Sequence, residues 1–62
     1  MNEEQCIYMD PNILLSILNM KLRDFYSNLD SLCDDMEISE EYLKEKLNKV
    51  GYNYDETINQ FR

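Results

Sequence analysis

Hydrophobic positions along the chain fall into three helical stripes followed by a short stretch of period two. The first stripe opens at Asp10-Pro11. An aspartate caps the free N–H groups of a helix start, and proline in the first helical position loses nothing by lacking its own. Met9 before the cap and Leu14 after it are spaced as a hydrophobic staple. These signals predict a helix from Pro11 to about Tyr26. On its wheel Leu14, Leu18, Leu22 and Phe25 form one seam. Ile13, Ile17 and Met20 flank it on one side, Leu15 and Tyr26 on the other. This apolar arc is wider than one buried face requires. Either other elements touch the helix from both sides, or part of the arc is a homodimer interface. The remaining stripe, Asn12, Ser16, Asn19 and Arg23, is polar. It reads as a solvated face or as hydrogen-bonding groups for a partner.

Ser27-Asn28 caps a second helix from Leu29 to Met36, with Leu29, Leu32, Cys33 and Met36 at i, i+3, i+4 and i+7. Glu37-Ile38 forms a turn, and Ser39 caps a third helix with Ile38 and Leu43 as its staple. Leu43, Leu47 and Val50 are expected inward. Glu40 and Glu41 suit the positive end of that helix and Lys49 the negative end. Glu40 with Lys44, and Glu45 with Lys49, are i,i+4 pairs. Gly51 closes the helix in the left-handed region, letting Tyr52 fold back on Leu47. Tyr52 and Tyr54 then alternate with Asn53. Residues 55–59 are turn-prone, and Gln60-Phe61-Arg62 returns as a second strand. Residues 1–5 read as a disordered polar tail. Residues 6–9 read as extended; a hairpin so short needs either Tyr52, Tyr54 and Phe61 packed on the helices or residues 7–9 as a third strand. The expected architecture is one mostly α domain over residues 6–62. It has three helices, a helix-turn-helix-like pair and a short C-terminal β-hairpin, in a winged-helix-like order.

Charge changes this picture. Thirteen acids against six bases give a net charge of −7, with no histidine. Anionic partners are repelled on average, and the bases form no block. In a DNA reader the exposed start of the second helix of the pair meets base edges. Here that stretch offers Ser39, Glu40, Glu41, Lys44 and Glu45, so carboxylates would approach phosphates. Nucleic acid is therefore a disfavoured partner.

Catalysis finds little support. Without histidine the usual general base and a common metal ligand are missing. Cys33 has no partner base, and a single glycine cannot build a phosphate-cradling loop. We expect no enzyme, no catalytic residue, no cofactor and no metal. Asp30, Asp34, Asp35, Glu37, Glu40 and Glu41 would offer oxygens to a hard cation, but the glycine of a calcium loop is lacking. They read as a solvated face. Cys6 and Cys33 lack a disulfide-framework spacing, which suggests reduced thiols in a cytoplasmic protein. Met1 is followed by Asn2, Glu3 and Glu4 rather than the bases of a signal peptide. The apolar run 13–18 is far short of the roughly 20 residues a bilayer span needs.

The run Pro11-Asn12-Ile13-Leu14-Leu15-Ser16, then Asn19-Met20-Lys21-Leu22-Arg23-Asp24-Phe25-Tyr26, resembles the start of a small bacterial family catalogued as domain of unknown function 4250. The likeness continues through Leu29-Asp30-Ser31-Leu32-Cys33-Asp34-Asp35 and Leu43-Lys44-Glu45-Lys46-Leu47. It closes with Gly51-Tyr52-Asn53-Tyr54-Asp55 and Asn59-Gln60-Phe61. It implies a short, stand-alone cytoplasmic protein. The family carries no established activity, so no catalytic or binding residue transfers. The resemblance does single out Asn19, Arg23 and Asp24, polar residues that core packing does not need. They serve either helix-end electrostatics with a bond to the following loop, or a contact site. The expected function is a protein-interaction module, self-associating as a homodimer or engaging another protein. Its candidate surface is Asn12, Ser16, Ile17, Asn19, Met20 and Arg23. The alternative is a helix-turn-helix DNA-binding regulator in which the hairpin, Lys21 and Arg23 meet phosphates.

Overall fold

The computed structural model describes residues 2–62. Four helices precede a hairpin: α1 (Glu3–Ile7), α2 (Pro11–Asp24), α3 (Leu29–Met36) and α4 (Glu40–Asn48), then β1 (Tyr54–Asp55) and β2 (Gln60–Phe61). The strands are antiparallel, with Tyr54 opposite Phe61 and Asp55 opposite Gln60. The core draws Leu14, Leu18 and Leu22 from α2, Leu29, Leu32 and Cys33 from α3, and Leu43 and Leu47 from α4. Cys6, Ile38 and Phe61 complete it.

The helix starts form where capping residues stand. Asp10 Oδ1 accepts the N–H groups of Asn12 at 2.8 Å and Ile13 at 3.4 Å. Asn28 Oδ1 accepts that of Ser31 at 2.7 Å, and Ser39 Oγ that of Tyr42 at 3.3 Å. Two helices end alike. After α4, Gly51 turns left-handed at φ 91°; Tyr52 N–H bonds Leu47 C=O and Gly51 N–H bonds Asn48 C=O, both at 3.0 Å. After α3, Glu37 takes the same role at φ 55°. There Ile38 N–H bonds Cys33 C=O at 3.0 Å, and Glu37 N–H bonds Asp34 C=O at 3.4 Å. Each is a Schellman closure that returns the next side chain, Tyr52 or Ile38, to the core.

Three expectations are corrected. The described residues form four helices rather than three, because α1 occupies residues read as tail and strand. Asn2 and Gln5 form a reciprocal capping box: Asn2 Oδ1 accepts Gln5 N–H at 2.9 Å, and Gln5 Oε1 accepts Asn2 N–H at 3.1 Å. Cys6 is fully buried, and the sheet stays two-stranded. Of the expected tail, Met1 lies outside the described residues. Phe25 leaves the α2 seam, since the helix stops at Asp24; its ring is 70% exposed, with the Lys21 ammonium 5.9 Å from its centroid. Val50 is likewise exposed, in the turn after α4. Both side chains continue a helical period beyond the last helical residue.

The two left-handed closures make opposite predictions. An L-residue in this region carries about 1–2 kcal/mol of strain, whereas glycine adds about 0.5–1 kcal/mol of chain entropy. Glu37→Gly should therefore raise stability by about 0.5–1 kcal/mol in urea denaturation. Gly51→Ala should lower it by about 1 kcal/mol, from backbone strain alone, since a Cβ there meets nothing within 4 Å.

Candidate functional site

Helix α2 has two unlike flanks. On one, Asn19 faces the hairpin. Its Nδ2 donates to Phe61 C=O at 3.0 Å and its Oδ1 accepts Phe61 N–H at 2.8 Å. A side-chain amide thus takes the position of a neighbouring strand on the hairpin edge. Gln60 Nε2 donates to Asn19 C=O at 3.0 Å, binding the same pair again. One residue earlier, Asn59 sits left-handed at φ 54°, a conformation asparagine tolerates. Its Nδ2 donates to the C=O groups of Leu22 and Tyr26, both at 3.0 Å, satisfying carbonyls at the end of α2. Its Oδ1 accepts the Tyr54 hydroxyl at 2.6 Å, and that hydroxyl accepts Leu29 N–H at the start of α3, at 3.2 Å. The Tyr54 and Phe61 rings pack 5.4 Å apart. Among the described residues, no buried side-chain nitrogen or oxygen lacks a partner. The hairpin is therefore a latch that joins α2 to α3.

The opposite flank has no such cover. Ile13, Ile17 and Met20 lie at i, i+4 and i+7, so they form one strip. Ile13 is 58% exposed, Met20 37%, and Ile17 half-buried. Asn12 and Ser16 are exposed, with the Ser16 hydroxyl donating to Asn12 C=O at 3.2 Å. Arg23 is exposed but engaged: Nε and Nη2 donate to the two Asp24 oxygens, each at 2.9 Å. That fork holds the Asp24 carboxyl below, and the Arg23 guanidinium above, their ordinary pKa values. Of the six candidate surface residues, the structure leaves Asn12, Ser16, Ile17 and Met20 available together, with Ile13 added. Asn19 belongs to the latch, and its bond goes to the hairpin rather than to the following loop.

Other polar groups serve the fold. Tyr26 donates to Asp35 Oδ2 at 2.5 Å, and this bond raises the phenol's pKa. Lys44 pairs with Glu40 at 3.4 Å, and Arg62 with Asp55 at 3.2 Å. Burial pushes the Cys33 thiol up to about 11, with Glu40 and Asp30 adding to the effect, and raises Cys6 as well. Among the described residues, no three His, Cys, Asp or Glu side chains gather as a group able to hold a metal ion. No helix of the described residues is long and apolar enough to cross a membrane.

The class is a small, mostly helical domain closed by a C-terminal hairpin. The chain belongs to the family described as Domain of unknown function (DUF4250), whose model matches residues 8–61. No curated protein and no solved structure matches it.

Two outcomes follow from the latch and the thiols. Asn19→Ala leaves the outer N–H and C=O of Phe61 without protein partners and should cost about 1–3 kcal/mol in urea denaturation. Cys33, Cys6 and Tyr26 all hold their protons more tightly folded than unfolded. The Cys33 contribution is complete below its ordinary value of 9.0 and is lost as pH rises toward about 11; Cys6 and Tyr26 begin to lose theirs only above their ordinary values of 9.0 and 10.0. The melting temperature should fall across that window. Cys33→Ala should make the slope shallower, because Cys33 then no longer titrates.

Proposed function

We propose that the chain is a protein-interaction module whose contact surface is the Ile13, Ile17 and Met20 strip of α2, edged by Asn12 and Ser16. The observation that carries this reading is the asymmetry of α2. The latch closes one flank, while the other leaves large apolar side chains in water. In a chain of 62 residues such a strip gives up burial the fold could use. The net charge of −7 opposes a second copy as occupant and favours a basic partner. Two free, buried thiols agree with a reducing compartment such as the cytoplasm.

DNA binding is the second reading. It is favoured by the short connection between α3 and α4 and by the hairpin behind them, in the order a winged helix would have. Its weakness is the state of the bases. Arg23, Lys44 and Arg62 pair with carboxylates, and Lys46 binds carbonyls of α1. DNA affinity draws largely on bases free to neutralise phosphate. The α4 carboxylates would add repulsion.

The discriminating experiment compares the wild-type chain with an Ile13→Glu/Met20→Glu variant as tagged baits in extracts of the native cell. Both positions are exposed, so the variant should melt within about 0.5 kcal/mol of wild type. The wild type should retain a protein that the variant loses. Identical captures would remove the α2 strip as the contact surface. A concentration-dependent mass of the purified chain, abolished in the variant, would assign the strip to self-association instead.

A further inference from the structure

We infer that α1 is a strap that opens and closes over the core independently of the rest of the fold, gating access to the Cys6 thiol. Five residues are too few for a helix that stands alone in water, so α1 stays helical only while docked. Its docking rests on a single buried side chain, Cys6. Ile7 is 54% exposed and Tyr8, which follows, 84%. Two polar ties complete the attachment, and both are charged. Glu3 Oε1 accepts Ser39 N–H at 3.2 Å, at the start of α4. Lys46 Nζ donates to Cys6 C=O at 2.6 Å and Ile7 C=O at 3.1 Å.

The remaining fold holds itself without these ties. The bonds of Asn19, Asn59, Gln60 and Tyr54 join α2, α3 and the hairpin, and none reaches α1. The family match, residues 8–61, likewise takes in every other helix and strand of the described residues and leaves out α1. A small apolar anchor, charged ties near solvent and an independent latch elsewhere describe an element with its own low opening free energy. When α1 lifts, Cys6 leaves the core and its thiol meets solvent. Each tie joins a charged side chain to a neutral backbone group at the surface, where water can replace it.

The test is carried out on the full chain under native conditions. Iodoacetamide alkylation with peptide mapping reads the protection of Cys6 relative to the unfolded chain. Amide exchange reads that of Leu18 and Leu47 in the core. Cys6 should be protected at least about tenfold less than these amides. Lys46→Met should lower Cys6 protection further. Asn19→Ala weakens the latch in the α1-open and α1-closed states equally. It should therefore lower protection at Leu18 and Leu47 and leave Cys6 unchanged; Gly51→Ala gives the same contrast if that variant does not fold. Equal protection of Cys6 and the core amides, falling together in Asn19→Ala or Gly51→Ala, would show that α1 opens only with global unfolding and would overturn the proposal.

Discussion

The pair of hydrogen bonds between the Asn19 side chain and the Phe61 backbone is the interaction on which the arrangement depends. A two-stranded hairpin with two residues in each strand has little stability of its own. Its edge is a row of backbone donors and acceptors that a third strand would ordinarily meet. Here an asparagine on α2, 42 residues earlier, meets both polar groups of Phe61 at once. This fixes the register of the hairpin against α2 and drives the Phe61 ring into the core, where it is 3% exposed. With the hairpin in register, Asn59 falls under the last carbonyls of α2. Tyr54 then reaches the free N–H at the start of α3. Helix ends need such partners, and one hairpin supplies them to two helices.

A chain this short cannot rest on core burial alone. The described residues contain no disulfide to help, since both cysteines are free. Much of the polar chemistry is instead directed at helix termini. Asp10, Asn28 and Ser39 cap starts; Asn59 and Lys46 bind carbonyls at ends; Gly51 and Glu37 close two helices through the left-handed turn. Each of the three N-caps contributes about 0.5–2 kcal/mol. Against the few kilocalories that separate folded from unfolded in a small domain, several of them are decisive.

Their legibility in the sequence divides by range. Asp10-Pro11, Asn28, Ser39 and Gly51 act within a turn of their own position, so the local pattern was enough to place α2, α3, α4 and the hairpin. Wheel arithmetic failed only where a helix stopped early, leaving Phe25 and Val50 on a period their backbone no longer follows. Helix α1 escaped because one and a half turns hold too few residues to show periodicity. The Asn2 and Gln5 capping box was the available signal. The latch could not be read at all. Asn19, Asn59 and Gln60 are ordinary polar residues until folding brings positions about forty apart into contact. The resemblance that ends in Asn59-Gln60-Phe61 marked the residues without giving their role. For the candidate surface, the surplus apolar arc was visible, but which flank stayed open depended on the hairpin's choice of side.

That choice links the fold to the surface. The hairpin sits on the Asn19 side, where the amide meets both polar groups of Phe61. The opposite side offers isoleucine and methionine, which cannot satisfy backbone polar groups. Closing one flank with hydrogen bonds therefore leaves the other to be closed, if at all, by apolar contact. The charge distribution acts in the same direction. Arg23, Lys44, Lys46 and Arg62 are engaged within the chain, whereas Asp30, Asp34, Glu37 and Glu41 remain on the surface of α3, α4 and the turn between them. A molecule meeting this protein encounters an acidic exterior interrupted by the α2 strip. Such a surface repels its own copies at long range, and the strip is the part of it that gains most from leaving water.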